Sequence, residues 1–119
     1  AFYAWGLTEL AAATGKNAYT DAALKLADAM KERFLDARNG GFFSSAGDDP
    51  TLFLRRKEAY DGAAPSGNSV AMDACIRLSL LARRKDLADV ARRTAEAFSA
   101  RAAKYPLSHT RLLAAVMTL

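Results

Sequence analysis

One cysteine and one histidine in 119 residues exclude a good deal of chemistry. A lone Cys75 allows no intrachain disulfide and no thiolate metal cluster. His109 is the single imidazole and no carboxylates are spaced as metal ligands, so no metal is expected. Asp48-Asp49 lacks the further ligands and the distal Glu of a calcium loop. No apolar run approaches the ~18 residues that cross a bilayer, and no charged-then-apolar leader is present. The expectation is a reducing, cytoplasmic setting without membrane contact. There is no Walker-type glycine loop, and nothing else calls for a cofactor. The formal charge of +4 is mild and scattered, so no nucleic-acid partner is expected.

What is present favours helix. Hydrophobic residues make up 51% of the chain and charged residues 25%, as in a globular domain, and alanine supplies much of the apolar share. Spacing predicts helices over about 1–13, 18–36, 69–82, 86–102 and from 107 onward. The first (Phe2, Trp5, Leu7, Leu10), third (Val70 to Leu81) and fifth (Leu112, Leu113, Val116, Met117) are apolar on most sides, as buried helices are. The second and fourth are amphipathic, with stripes through Tyr19, Ala23, Leu26, Met30 and Phe34, and through Leu87, Val90, Ala91, Thr94 and Phe98. Short turns at 14–17 and 83–85 fold these helices into two antiparallel hairpins.

The hairpins match each other at an offset of 68 residues: Leu10 with Leu78, Tyr19 with Leu87, Ala22 with Val90, Ala23 with Ala91, Met30 with Phe98. Inner-outer hairpins that repeat suggest concentric rings, an all-α α/α toroid with a small β-hairpin. A superhelical repeat array is the competing reading, but the long spacer between the hairpins speaks against it. The chain starts at Ala1, not Met, and both ends lie in apolar helix. It therefore reads as a partial toroid truncated at both ends: hairpins at 1–36 and 69–102, a loop over 40–68, and the start of another hairpin at 107–119. Bare apolar helices would favour self-association.

Within the spacer, 40–45 and 52–57 read as two short strands around a Gly47-Asp48-Asp49-Pro50 turn. A polar run punctuated by glycine and proline follows, and long ordered loops on helical scaffolds are where function usually resides.

That run, Lys57-Glu58-Ala59-Tyr60-Asp61-Gly62-Ala63-Ala64-Pro65-Ser66-Gly67-Asn68-Ser69-Val70, resembles the hallmark of the YyaL-like family, which includes spermatogenesis-associated thioredoxin-domain proteins. The preceding Gly40-Gly41-Phe42-Phe43 fits the same region. The resemblance implies a thioredoxin-like domain elsewhere in a parent chain. It also implies a six-hairpin toroid similar to N-acylglucosamine 2-epimerases and six-hairpin glycosidases, and so a carbohydrate ligand.

If the first, third and fifth helices are inner and parallel, their N-termini share one end of the domain. Lys57, Glu58, Tyr60, Asp61, Ser66, Asn68 and His109 would then converge on a cavity mouth, with Trp5 offering a stacking face beside Phe2 and Tyr3. Glu58 and Asp61 are candidates for a general acid–base pair, and His109 for a base titrating near neutrality. Lys57, Tyr60, Ser66, Asn68 and Trp5 are candidates for substrate contact. Each has a structural alternative: Ser66 or Asn68 as the cap of the third helix, Asp61 closing a turn, Lys57 and Glu58 as a surface pair, His109 in capping or packing. Cys75, among apolar neighbours, reads as core. The basic groups at 83–85 and 92–93 read as a solvated face. The other functional reading is a non-catalytic scaffold that binds the thioredoxin-like domain or another protein.

Overall fold

A computed structural model describes residues 1–119 apart from Asp49 and Leu52. Five α-helices account for most of it: α1 (Phe2–Thr14), α2 (Asn17–Phe34), α3 (Gly67–Leu81), α4 (Lys85–Lys104) and α5 (Thr110–Val116). A 3-10 turn over Pro106–Ser108 precedes α5. The five expected helices are all present, and their boundaries shift by one to three residues.

The internal repeat extends to the turns. α2 and α4 begin at Asn17 and Lys85, which are 68 residues apart. The two left-handed residues that end α1 and α3, Gly15 (φ 66°) and Arg83 (φ 53°), have the same separation. Gly15 closes α1 by donating its N–H to the Ala11 carbonyl at 2.9 Å. After Arg83, the N–H of Arg84 reaches back to the Ser79 carbonyl at 3.1 Å, the six-to-one bond that closes a helix through a left-handed residue. Arg83 is the one non-glycine residue with positive φ among those described. The left-handed position thus recurs at the same offset, once on a suitable residue and once on an unsuitable one, although the closing hydrogen bonds differ.

α3 is the hub. It packs against α1, α2, α4 and α5, whereas among the described residues the backbones of α1 and α5 do not come close, nor do those of α2 and α4, and only long side chains bridge them. The helices therefore form a row of α1, α3 and α5, with α2 and α4 behind it in antiparallel pairs. Met72, Cys75, Leu78 and Leu87 are fully buried at the centre, and Ala23, Ala27 and Ala91 let helices approach closely. Position in the row explains where repeat-related residues diverge. Leu78 has helices on both sides and is 0% exposed, while Leu10, on a flanking helix, is 46% exposed.

The basic turn groups are less solvated than their charge suggests. Arg84 binds Asp28 and Asp86, each with an oxygen at 2.7 Å, and Lys31 reaches Asp86 at 2.5 Å, so the start of α4 is held on α2. Arg93 donates to the carbonyls of Ala37 and Arg38 at 2.6 and 3.1 Å.

The expected β-hairpin does not form among the described residues. Gly40 and Gly41 take left-handed φ values of 77° and 76°, turning the chain where the first strand was expected to start. A side chain at Gly40 would collide with the Arg93 carbonyl, so glycine is required there. What remains of strand pairing is a single antiparallel bridge between Leu35 and Phe42. One backbone bond, from the Ser44 N–H to the Arg56 carbonyl at 2.7 Å, ties the two expected strands. Leu52, in the second of them, and Asp49, in the expected turn, lie outside the described residues.

Candidate functional site

The signature residues fall into separate groups: Asn68 meets the Glu58 backbone, Ser66 meets Asp61, and Lys57 and His109 bind elsewhere. Phe42 faces Leu35 through its neighbours' backbone groups, so its own N–H and C=O point the other way. Asn68 meets both: its Oδ1 accepts from Phe42 N–H at 2.6 Å, and its Nδ2 donates to the Phe42 carbonyl at 2.8 Å. The same Nδ2 also donates to the Glu58 carbonyl at 2.8 Å. A buried carboxamide thus takes the place of an absent third strand.

Ser66 is the cap of α3, with extended backbone and its Oγ accepting from Ser69 N–H at 3.1 Å. Asp61 caps a different helix from a distance. Its Oδ2 accepts from the N–H groups of Arg111 and Leu112 at 2.9 and 3.0 Å, in the first turn of α5, and its Oδ1 accepts from Ser66 N–H at 2.8 Å. Burial alone would raise the Asp61 pKa. The Ser66 amide, Ser69 hydroxyl and the two α5 amides outweigh it and hold the carboxyl below its usual range. Asp61 is therefore a fixed carboxylate with its lone pairs committed.

Lys57 serves the preceding turn. Its ammonium binds Asp36 at 2.7 Å and the Gly40 carbonyl at 2.8 Å, and Asp36 also accepts from the Arg38 and Asn39 backbone. The Lys57 ammonium, then the Asn39 bonds, hold the Asp36 carboxyl far below the ordinary carboxylate range against the opposing effect of burial. His109 is buried, with Nδ1 at 2.8 Å from the Tyr105 carbonyl, joining α4 to α5.

Glu58 and Tyr60 remain outward. Glu58 uses Oε1 to accept from the Ala59 and Tyr60 N–H groups at 3.1 and 2.9 Å, and Tyr60 is 59% exposed. Glu58 lies on the lip of a cleft of about 320 Å³ whose walls include Met30, Phe34, Phe42, Phe43, Ser44 and Asn68.

Trp5 lies away from this cleft, in a polar row that crosses α1, α3 and α5. Its ring lies 5.2 Å from the Arg111 guanidinium, which binds Asp73. Asp73 also faces Arg77 at 3.4 Å, and Arg77 reaches Glu9 at 2.9 Å. Sequence reasoning missed Glu9, Asp73, Arg77 and Arg111. The available signal was an Asp and an Arg four residues apart inside an otherwise apolar helix.

Comparison with known proteins agrees with the motif. The likeness is to spermatogenesis-associated protein 20. This chain is 37% identical over 109 residues to spermatogenesis-associated protein 20 of Rattus norvegicus, and 36% identical to those of Mus musculus and Homo sapiens. Each match covers 91% of this chain, which spans 14% of the relative's length. No family model matches the chain, and no solved structure matches it. The similarity to spermatogenesis-associated protein 20 supports the family resemblance carried by residues 57–70.

Proposed function

We propose that the chain is part of an α/α toroid that binds a carbohydrate at the N-terminal end of its inner helices. One observation carries this reading. The signature holds the starts of α3 and α5 in place and leaves the Glu58 carboxylate beside a cleft walled by Phe34, Phe42 and Phe43. Aromatic rings cover the C–H faces of sugars, and a carboxylate accepts from their hydroxyls.

Glu58 is the carboxylate left to act on a ligand, since its Oε2 has no partner among the described residues while both Asp61 oxygens are held by amides. Sugar epimerisation or hydrolysis requires a second proton carrier, which a further hairpin of the toroid would supply. This chain by itself therefore binds without turnover. Saturation-transfer NMR against neutral hexoses and N-acetylhexosamines tests the reading. The expected result is transfer to at least one sugar, weakened in Phe43→Ala and Glu58→Gln. Absence of transfer to every sugar would favour the non-catalytic scaffold instead.

A further inference from the structure

The row across α1, α3 and α5 has features that helix packing alone does not call for. Asp73 is buried in the middle of α3, among Met72, Ala74 and Cys75. A carboxylate there has to recover its lost hydration from partners, and well-packed apolar residues would serve the helix contact as well or better. It is met by Arg77 from its own helix and Arg111 from α5, and Arg77 continues to Glu9 on α1. Four charged side chains thus run across three helices, two of each sign, and cancel.

Two side chains in this row have donors without a partner among the described residues. Arg111 commits one amino group to Asp73 and lays its plane near the Trp5 ring, and its Nε and Nη1 have no partner among the described residues. Its side chain is 30% exposed, so solvent reaches it. The Trp5 indole Nε1 is the one buried side-chain nitrogen or oxygen without a hydrogen-bond partner among the described residues. An unmet buried donor is destabilising, and an accepting group that reached it would remove that cost.

We infer that this row, Glu9–Arg77–Asp73–Arg111 with Trp5, is a second ligand subsite that takes the hydroxyl edge of a neutral sugar or related vicinal polyol. The inference rests on the carbohydrate reading above and names a different place on the molecule. Neighbouring hydroxyls both donate and accept, which matches an alternation of carboxylate and guanidinium. The indole supplies a stacking surface and an N–H. An anion would gain from the arginines but meet Asp73 and Glu9, so the neutral ligand is preferred.

Trp5 is the single tryptophan of the chain, which makes its emission and its indole N–H resonance direct reporters. Glucose, N-acetylglucosamine and inorganic phosphate are titrated separately against the ¹⁵N-labelled chain. The expected result is that a sugar moves the Trp5 indole N–H and the Arg111 amide, while phosphate moves neither. Arg111→Lys keeps the backbone amide that Asp61 caps but loses the planar fork, and should weaken sugar binding about tenfold. Trp5→Phe keeps an aromatic ring and removes the N–H, and should also weaken it, read from the Arg111 amide. Glu58→Gln should leave the Trp5 response intact. Sugar shifts confined to Phe43 and Glu58 would overturn this subsite and leave the carbohydrate reading standing. Shifts at Trp5 from phosphate alone would make it an anion site and overturn the inference. No sugar response anywhere would overturn both.

Discussion

Replacing Asn68 by alanine removes three hydrogen bonds together, because its carboxamide serves both backbone groups of Phe42 and the carbonyl of Glu58. The Phe42 groups left behind are buried, so the expected cost is about 2–4 kcal/mol, read as a lower urea midpoint. A loss under about 1 kcal/mol would show that water replaces the carboxamide freely. Asp36 and Asp61 have folded pKa values held below normal. Such groups stabilise above the unfolded carboxylate pKa of about 3.9, and that stability is lost as pH falls through the depressed folded values. Stability should therefore fall steeply below about pH 4, and Asp36→Asn with Asp61→Asn should flatten that acid limb. Burial pushes the Cys75 thiol up to about 12, so alkylation of the native chain should be far slower than in urea. The sequence shows that Ser66 is a good cap and Cys75 a core residue, since both are local properties. It does not show that Asp61 caps a helix starting 49 residues later at Thr110, because only the fold brings that helix near.

At the scale of elements, the turn repeated 68 residues apart offers a paired test. Gly15 adopts the left-handed region without a Cβ, whereas Arg83 does so against steric resistance. Arg83→Gly should raise stability by about 0.5–1 kcal/mol, and Gly15→Ala should lower it by about 1 kcal/mol. Equal and small effects at both positions would mean that the turn carries no strain. The helices themselves are legible because their apolar periodicity and the glycine stop at 15 are local signals. The expected β-hairpin fails for an equally physical reason. Gly40 and Gly41 are taken by a left-handed turn against the α4 backbone, and the side chain of Asn68, not a second strand, pairs with Phe42. Propensity along the chain carries no sign of either long-range contact.

At the scale of the molecule, the inner-outer alternation read from the sequence corresponds to a row of α1, α3 and α5 backed by α2 and α4. The apolar character of α3 follows from its place between four other helices. The polar row within that apolar helix is not legible along the chain, since Asp73 and Arg77 acquire their partners only when Arg111 and Trp5 arrive from other helices. Large apolar side chains also remain on the surface, including Phe53, Leu107 and Met117. Concentration-dependent self-association should therefore appear in sedimentation, and a strictly monomeric chain at high concentration would contradict that expectation.

The central claim is that the signature clasps the helix starts together and that Asp61 is its key. Amide hydrogen exchange on Asp61→Asn tests this most directly, because an amide side chain cannot accept from both sides as the carboxylate does. Exchange at Ser66, Arg111 and Leu112 is expected to speed up at least about tenfold, with the amides in the middle of α2 unchanged. Unchanged protection at those three amides, together with lost sugar binding, would contradict the account and return Asp61 to the active site.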